Sequence, residues 1–277
     1  MGQGIVLSWP RKRGSGPGRL EARLSTGTGF IVRQGVGPGR GVGARRFLVT
    51  NRHVVDPNYE KPRGWPLTEL RVSGHFQDPR HRAAGASRQG ARLMNPAVYF
   101  PSKWDSDLAV VPLDDGEDVE GQGLFNSLPS GILALRHGSL DGEVTVGQQV
   151  LMPGYPGIEG HAAERPILVG GVIASDPRYP AATGRDVYED QVLCHAFSWQ
   201  GMARPPVLCR VPRPTTWNDL ETTGIKDRTL LAGVNAGHIV VRDDATAGAI
   251  VRFVRANALA DLLRQAGLEI FELPTQG

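Results

Sequence analysis

Cysteine is almost missing from this chain: Cys194 and Cys209 are the only two in 277 residues. Two are too few for a disulfide-stapled scaffold, and they do not stand in the paired spacing of a metal site. Aromatic residues make up only 6% of the sequence. No run of about 18 apolar residues occurs, so no membrane-spanning helix is expected, and the segment from Met1 to Pro10 has no long apolar stretch of the secretory type. The histidines His75, His81, His137, His161, His195 and His238 fall in no ligand spacing, so neither a metal nor a cofactor is expected. Charge is nearly balanced, at +3 with a pI near 9.1. Arginine supplies most of the positive side (Arg11, Arg13, Arg40, Arg45, Arg46), but no nucleic-acid motif accompanies it, and nucleic acid is not an expected partner. The expectation is a soluble cytoplasmic protein.

Glycine and proline, by contrast, are abundant, at 36 and 21 residues, which suits many short strands joined by turns. Residues 1–19 are rich in Gly, Arg and Pro and read as a flexible N-terminal arm. Short apolar runs then follow at Thr28 to Arg33, Arg46 to Thr50, Glu69 to Ser73 and Asp107 to Pro112. After a polar stretch from Asp114 to Leu140 they resume at Glu143 to Met152, Ile167 to Ala174, Gln191 to Phe197, Pro206 to Val211, Leu230 to Asn235 and His238 to Arg242. Two strand-rich halves, 20–140 and 141–277, therefore flank one linker. Strands do not alternate with helices, so the pattern predicts an all-β, antiparallel sandwich or barrel pair. Leu259, Leu262, Leu263 and Ala266 follow helical spacing and predict one C-terminal helix stopped by Gly267 and packed on the second half. The Arg- and Gly-rich segment from His75 to Asn95 reads as a mobile surface loop.

Two segments could carry chemistry. Phe47-Leu48-Val49-Thr50-Asn51-Arg52-His53 delivers a histidine at the end of an apolar strand, a rigid place for a general base. Asp107 opens the apolar run Leu108-Ala109-Val110-Val111, and a carboxylate at the mouth of a buried strand needs a donor, which a histidine N–H would supply. Taken singly, such a histidine is more often structural, and such an aspartate more often caps a turn.

Together the segments resemble the trypsin-like serine peptidases, in particular their bacterial branch. Thr50-Asn51-Arg52-His53-Val54-Val55 is similar to the signature TAAHVV, and Asp107-Leu108-Ala109-Val110-Val111 to DLALL. Val146-Gly147-Gln148-Gln149-Val150-Leu151-Met152-Pro153-Gly154-Tyr155-Pro156-Gly157 resembles the family's strand ending in GYP.G. Leu231-Ala232-Gly233-Val234-Asn235-Ala236-Gly237 resembles the strand that lines the substrate pocket. The resemblance runs from about Leu20 to Arg264. It implies a chymotrypsin-like fold of two packed six-stranded antiparallel β-barrels with one C-terminal helix. His53 would be the base, Asp107 its orienting carboxylate, and Phe197, Ser198, Val234, Asn235, Ala236 and Gly237 the substrate pocket.

The family's third element is Gly-Xaa-Ser-Gly-Xaa-Pro, and this chain has Gly201-Met202-Ala203-Arg204-Pro205-Pro206. Ala203 stands at the nucleophile position, and Arg204 replaces the next glycine. The oxyanion donors implied by the resemblance are the N–H groups of Gly201 and Ala203. Alanine has no oxygen with which to attack a carbonyl, and deleting the nucleophile in this chemistry lowers kcat by about 10⁶. The expectation is a pseudopeptidase that binds a peptide or protein partner in the groove between the barrels. The alternatives are a working hydrolase with another nucleophile, for which Ser198 is the candidate, or a sensor or scaffold domain of a multi-component system. Cys194 and Cys209 flank the loop and read as buried, inert thiols.

Overall fold

Strands β1 (Phe30–Arg33), β2 (Arg46–Thr50) and β5 (Ala109–Pro112) each carry an unbroken apolar run, Phe30-Ile31-Val32, Phe47-Leu48-Val49 and Ala109-Val110-Val111, because both faces of those runs are buried. Phe30, Val32, Phe47, Val49 and Val110 face one core cluster, while Ile31, Leu48, Ala109 and Val111 face another. A sheet covered on both sides loses the alternation of apolar and polar residues. The computed structural model describes residues 28–34, 45–56, 58–59, 67–76, 87–103, 106–114, 117–118, 127–135, 144–154, 167–183, 186–197, 205–212, 227–239 and 250–270. The arm at 1–19 lies outside them.

The other strands of the first half are β3 (Glu69–Phe76), β4 (Ser87–Met94), β6 (Glu117–Asp118) and β7 (Leu128–Pro129). Pairing gives a four-stranded sheet ordered β5-β2-β1-β7 and a three-stranded sheet ordered β3-β4-β6. A closed barrel is not formed in this half among the described residues, and β7 runs parallel to β1. β4 corrects the expectation of a mobile loop from His75 to Asn95 over residues 87–94, while residues 77–86 lie outside the described residues. It pairs along its whole length with β3, buries Ala91 and Leu93, and turns Arg92 outward onto Glu69 at 2.9 Å. Arg, Ala and Gly hide a strand whose alternation is real but built from small residues.

The second half closes as expected. β8 (Gln149–Gly154), β9 (Ile167–Ile173), β12 (Gln191–Ala196), β13 (Pro206–Pro212), β14 (Asp227–His238) and β15 (Ile250–Arg255) form a six-stranded antiparallel barrel in the order β12-β15-β14-β13-β8-β9. A small hairpin, β10 (Ala181–Thr183) with β11 (Asp186–Tyr188), stands beside it. The barrel interior is filled by inward residues such as Val150, Met152, Cys194, Cys209 and Phe253, each large apolar side chain contributing about 1.5–3 kcal/mol by leaving water. β14 runs past the expected Leu230 to Asn235 at both ends, with a bulge between Asn235 and Gly237, and residues 240–242 of the strand expected from His238 to Arg242 lie outside the described residues. β15 was not anticipated.

A single helical turn, α1 (Arg52–Val55), follows β2, and α2 (Ala256–Gln265) follows β15. Gly267 ends α2 at φ 89°. The Gly267 N–H reaches the Arg264 carbonyl and the Leu268 N–H the Leu263 carbonyl, both at 2.9 Å, which is the hydrogen-bond pattern of a Schellman stop. The helix does not pack on the second half alone. Leu259, Leu262 and Leu263 share a cluster with Phe30, Phe47 and Leu108 of the first half as well as Leu231 and Val254 of the second, so α2 joins the two. No helix among the described residues is long and apolar enough to cross a membrane.

Candidate functional site

The site is built at the end of β2. Thr50 is buried and its hydroxyl donates to the Thr28 carbonyl at 2.9 Å, fixing the strand end to the segment before β1. The chain then turns once as α1. Val54 and Val55 of that turn are buried in the cluster with Leu48 and Val111, which leaves Arg52 and His53 on the other side. His53 therefore stands on a helical turn, one step beyond the strand end that the sequence suggested.

Asp107 arrives from the segment leading into β5, 54 positions away. Its Oδ1 accepts the backbone N–H of His53 at 3.0 Å, and its Oδ2 lies 2.9 Å from His53 Nδ1. An ionised carboxylate can only accept, so Nδ1 is the ring nitrogen that donates to Asp107 and Nε2 faces away from it. Asn51 Nδ2 donates to the Asp107 backbone carbonyl. The His53 side chain is 35% exposed and that of Asp107 15%, so the imidazole is reachable while its partner is shielded.

Neighbouring groups brace the turn. Arg52 Nε pairs with Asp56 Oδ2 at 2.9 Å, both side chains being mostly buried. The Arg52 guanidinium lies 4.5 Å from the Phe100 ring centre and 5.6 Å from that of Tyr59, distances at which a cation is attracted to an aromatic face. Tyr59 also sits near His53, with ring centres 6.4 Å apart. Neither Asn51 nor the Arg52–Asp56 pair was singled out from sequence. The signal was present only as polar residues in and just after the histidine motif: Asp56 lies one turn beyond Arg52, and the partner of Asn51 lies 56 positions away.

Of the other site residues, Val234 and Asn235 on β14 are buried. Val234 shares its cluster with Val49 and Leu108, the supports of the histidine turn and of Asp107. Asn235 N–H donates to the Pro205 carbonyl at 3.2 Å, and its Oδ1 accepts the Gly237 N–H at 3.0 Å. Ala236 and Gly237 are partly exposed, with Gly237 at φ 112° in the bulge. Phe197 follows β12 and is 49% exposed. Ser198, Gly201, Ala203 and Arg204 lie outside the described residues. Cys194 and Cys209 are free and buried, and burial pushes their thiols up to about 11 and about 12. No cluster of potential metal ligands occurs among the described residues.

The family model described as "Trypsin-like peptidase domain" matches residues 27–206. The chain belongs to this trypsin-like peptidase family. Among solved structures, a mutant of human heparin binding protein superposes with a TM-score of 0.49 at 14% identity, over 97% of this chain and 94% of that one. A Mycobacterium tuberculosis protease in its active form gives 0.46 at 17% identity, over 99% and 84%. Among curated proteins, none matches the sequence. The family assignment rests on the sequence match, not on these superpositions. His53 and Asp107, the two residues that the histidine and aspartate signatures single out, meet in this family's fold through two hydrogen bonds, from the main chain and from the ring of His53.

Proposed function

We propose that this trypsin-like chain is a pseudopeptidase, which binds a peptide or protein partner in the groove between its halves and does not cleave it. The observation that carries the reading is Ala203, which falls where the family places its nucleophilic serine and cannot supply an oxygen. Arg204 and Pro205 deepen the departure. Proline fixes its own φ and drives the preceding residue toward extended backbone, where the family turns tightly on glycine. Three changed positions in a row fit natural loss of cleavage better than a single inactivating substitution. The retained His53–Asp107 pair has a use without catalysis, since it bonds the histidine turn to the strand beside it. Two free buried thiols favour a reducing, cytoplasmic setting, and the motif forms favour a bacterial source.

The test is labelling of the purified chain with a serine-directed fluorophosphonate. No adduct is expected at any residue. A stoichiometric adduct on Ser198 or elsewhere would replace this reading with that of a working hydrolase.

A further inference from the structure

Asn51 occupies the N-cap position of α1, where an asparagine ordinarily turns its side-chain oxygen onto a helix N–H. It makes no such capping bond. Its Nδ2 instead reaches a residue 56 positions away and donates to the backbone carbonyl of Asp107. The side chain is buried, at 1% exposure, and Oδ1 has no hydrogen-bond partner among the described residues. A buried acceptor left unpaired is costly, and such costs are kept where another requirement outweighs them. Asn51 thus forgoes the cap, and its amide nitrogen makes one long-range bond while its oxygen has no partner among the described residues.

That bond falls on the residue that orients the histidine. Two residues of one turn, Asn51 and His53, address Asp107 at three different atoms. Asn51 Nδ2 takes the main-chain oxygen, the His53 N–H takes Oδ1, and His53 Nδ1 takes Oδ2. The last two hold the carboxylate, which can still swing about its own side-chain bonds if the backbone beneath it shifts. The first holds that backbone. Thr50, immediately before, is anchored to the Thr28 carbonyl at 2.9 Å, so the clamp acts from a fixed base. We infer that Asn51 is a positioning residue of the His53–Asp107 pair, pinning the Asp107 main chain so that the carboxylate meets the histidine at two atoms at once. The inference rests on the same pair as the proposed function, but it holds whether or not the groove takes a ligand.

The readout is the low-field proton resonance of the His53 Nδ1–H shared with Asp107, recorded by NMR on the full chain and assigned by its disappearance in His53→Ala. Two neutral variants are compared, Asn51→Ala and Asn51→Leu, the second keeping bulk without a donor. Val150→Ala, in the core of the second barrel, serves as a control of comparable stability loss. In both Asn51 variants the resonance is expected to broaden and its exchange with water to quicken about tenfold, the factor set by one hydrogen bond of ordinary net strength. The control should leave it unmoved. An unchanged resonance in the Asn51 variants, an equal change in the control, or no such resonance in the natural chain would overturn the inference. Fluorophosphonate labelling is a separate matter: an adduct would defeat the non-catalytic reading and leave this result standing.

Discussion

Arg45 Nη1 donates to the carbonyl oxygen of Gly267 at 2.8 Å, joining residues 222 positions apart. The same guanidinium holds Asp114 Oδ2 through Nε at 2.8 Å and lies 5.2 Å from the Phe47 ring centre. The stop of α2 is thereby tied to the start of β2, the strand that delivers His53. Gly267 is needed there for its backbone conformation. Its φ of 89° disfavours any side chain, and an added Cβ would lie 2.5 Å from Arg45 Nη1. Gly267→Ala is expected to lower stability by about 1–2 kcal/mol from the backbone conformation alone, read as a lower denaturation midpoint with an unchanged m-value.

The two halves of the His53–Asp107 pair are not equivalent. Asp107 accepts from both the main chain and the ring of His53, so its loss strands a backbone N–H as well as the imidazole. The loss of His53 removes one bond and leaves the carboxylate still held by the backbone. Each bond to the carboxylate contributes about 1.5–3 kcal/mol, so Asp107→Ala, which loses both, should cost more than His53→Ala, which loses one. Urea denaturation of the two variants checks the order. Equal losses would mean that the backbone bond contributes nothing.

What the sequence could disclose follows from where each element finds its partners. β2 was readable to the residue because Phe47, Leu48 and Val49 are buried on both faces and so form an unbroken apolar run. α2 and its stop were readable because the spacing of Leu259, Leu262 and Leu263 and the glycine at 267 are local signals. β4 was not, because Arg92 answers Glu69 from another strand and its composition imitates a loop. The bulge that lets β14 run on past Asn235 is accompanied by the Gly237 N–H bonding Asn235 Oδ1, a contact that no periodicity announces. In the site, His53 and Asp107 were legible through paired signatures. Asn51 was not, since its only meaning lies in a carbonyl that folding brings to it.

The buried thiols predict a one-sided pH dependence. Both Cys194 and Cys209 ionise less readily in the fold than in an unfolded chain, where the value is 9.0, because burial disfavours the thiolate. For a group whose folded pKa is raised, the stabilisation is fully present below the unfolded pKa and is lost as pH rises through the folded one. Stability should therefore be flat in these groups below about 9 and fall between there and about 12. Thermal melts of the natural chain and of Cys209→Ala across that window should converge as pH rises. At neutral pH neither thiol should react with iodoacetamide until the chain is unfolded.

Restoring the nucleophile tests the alignment itself. Ala203→Ser alone should stay silent, because Arg204 and Pro205 still stand where the family's motif has a glycine and the residue after it, and a proline disfavours the tight turn at the residue before it. The variant Ala203→Ser, Arg204→Gly, Pro205→Ser changes both the oxygen and the turn. Pro205 contributes its carbonyl to Asn235 at 3.2 Å, and serine keeps that acceptor, so the anchor of the loop on β14 survives the exchange. Cleavage of a peptide panel by the triple variant should appear and should then depend on the His53–Asp107 pair. Adding His53→Ala should remove it by a factor on the order of 10⁶ in kcat, as expected when a serine loses its base. If cleavage appears and ignores His53, the histidine is not the base of this site and the correspondence between residue 203 and the family's serine fails.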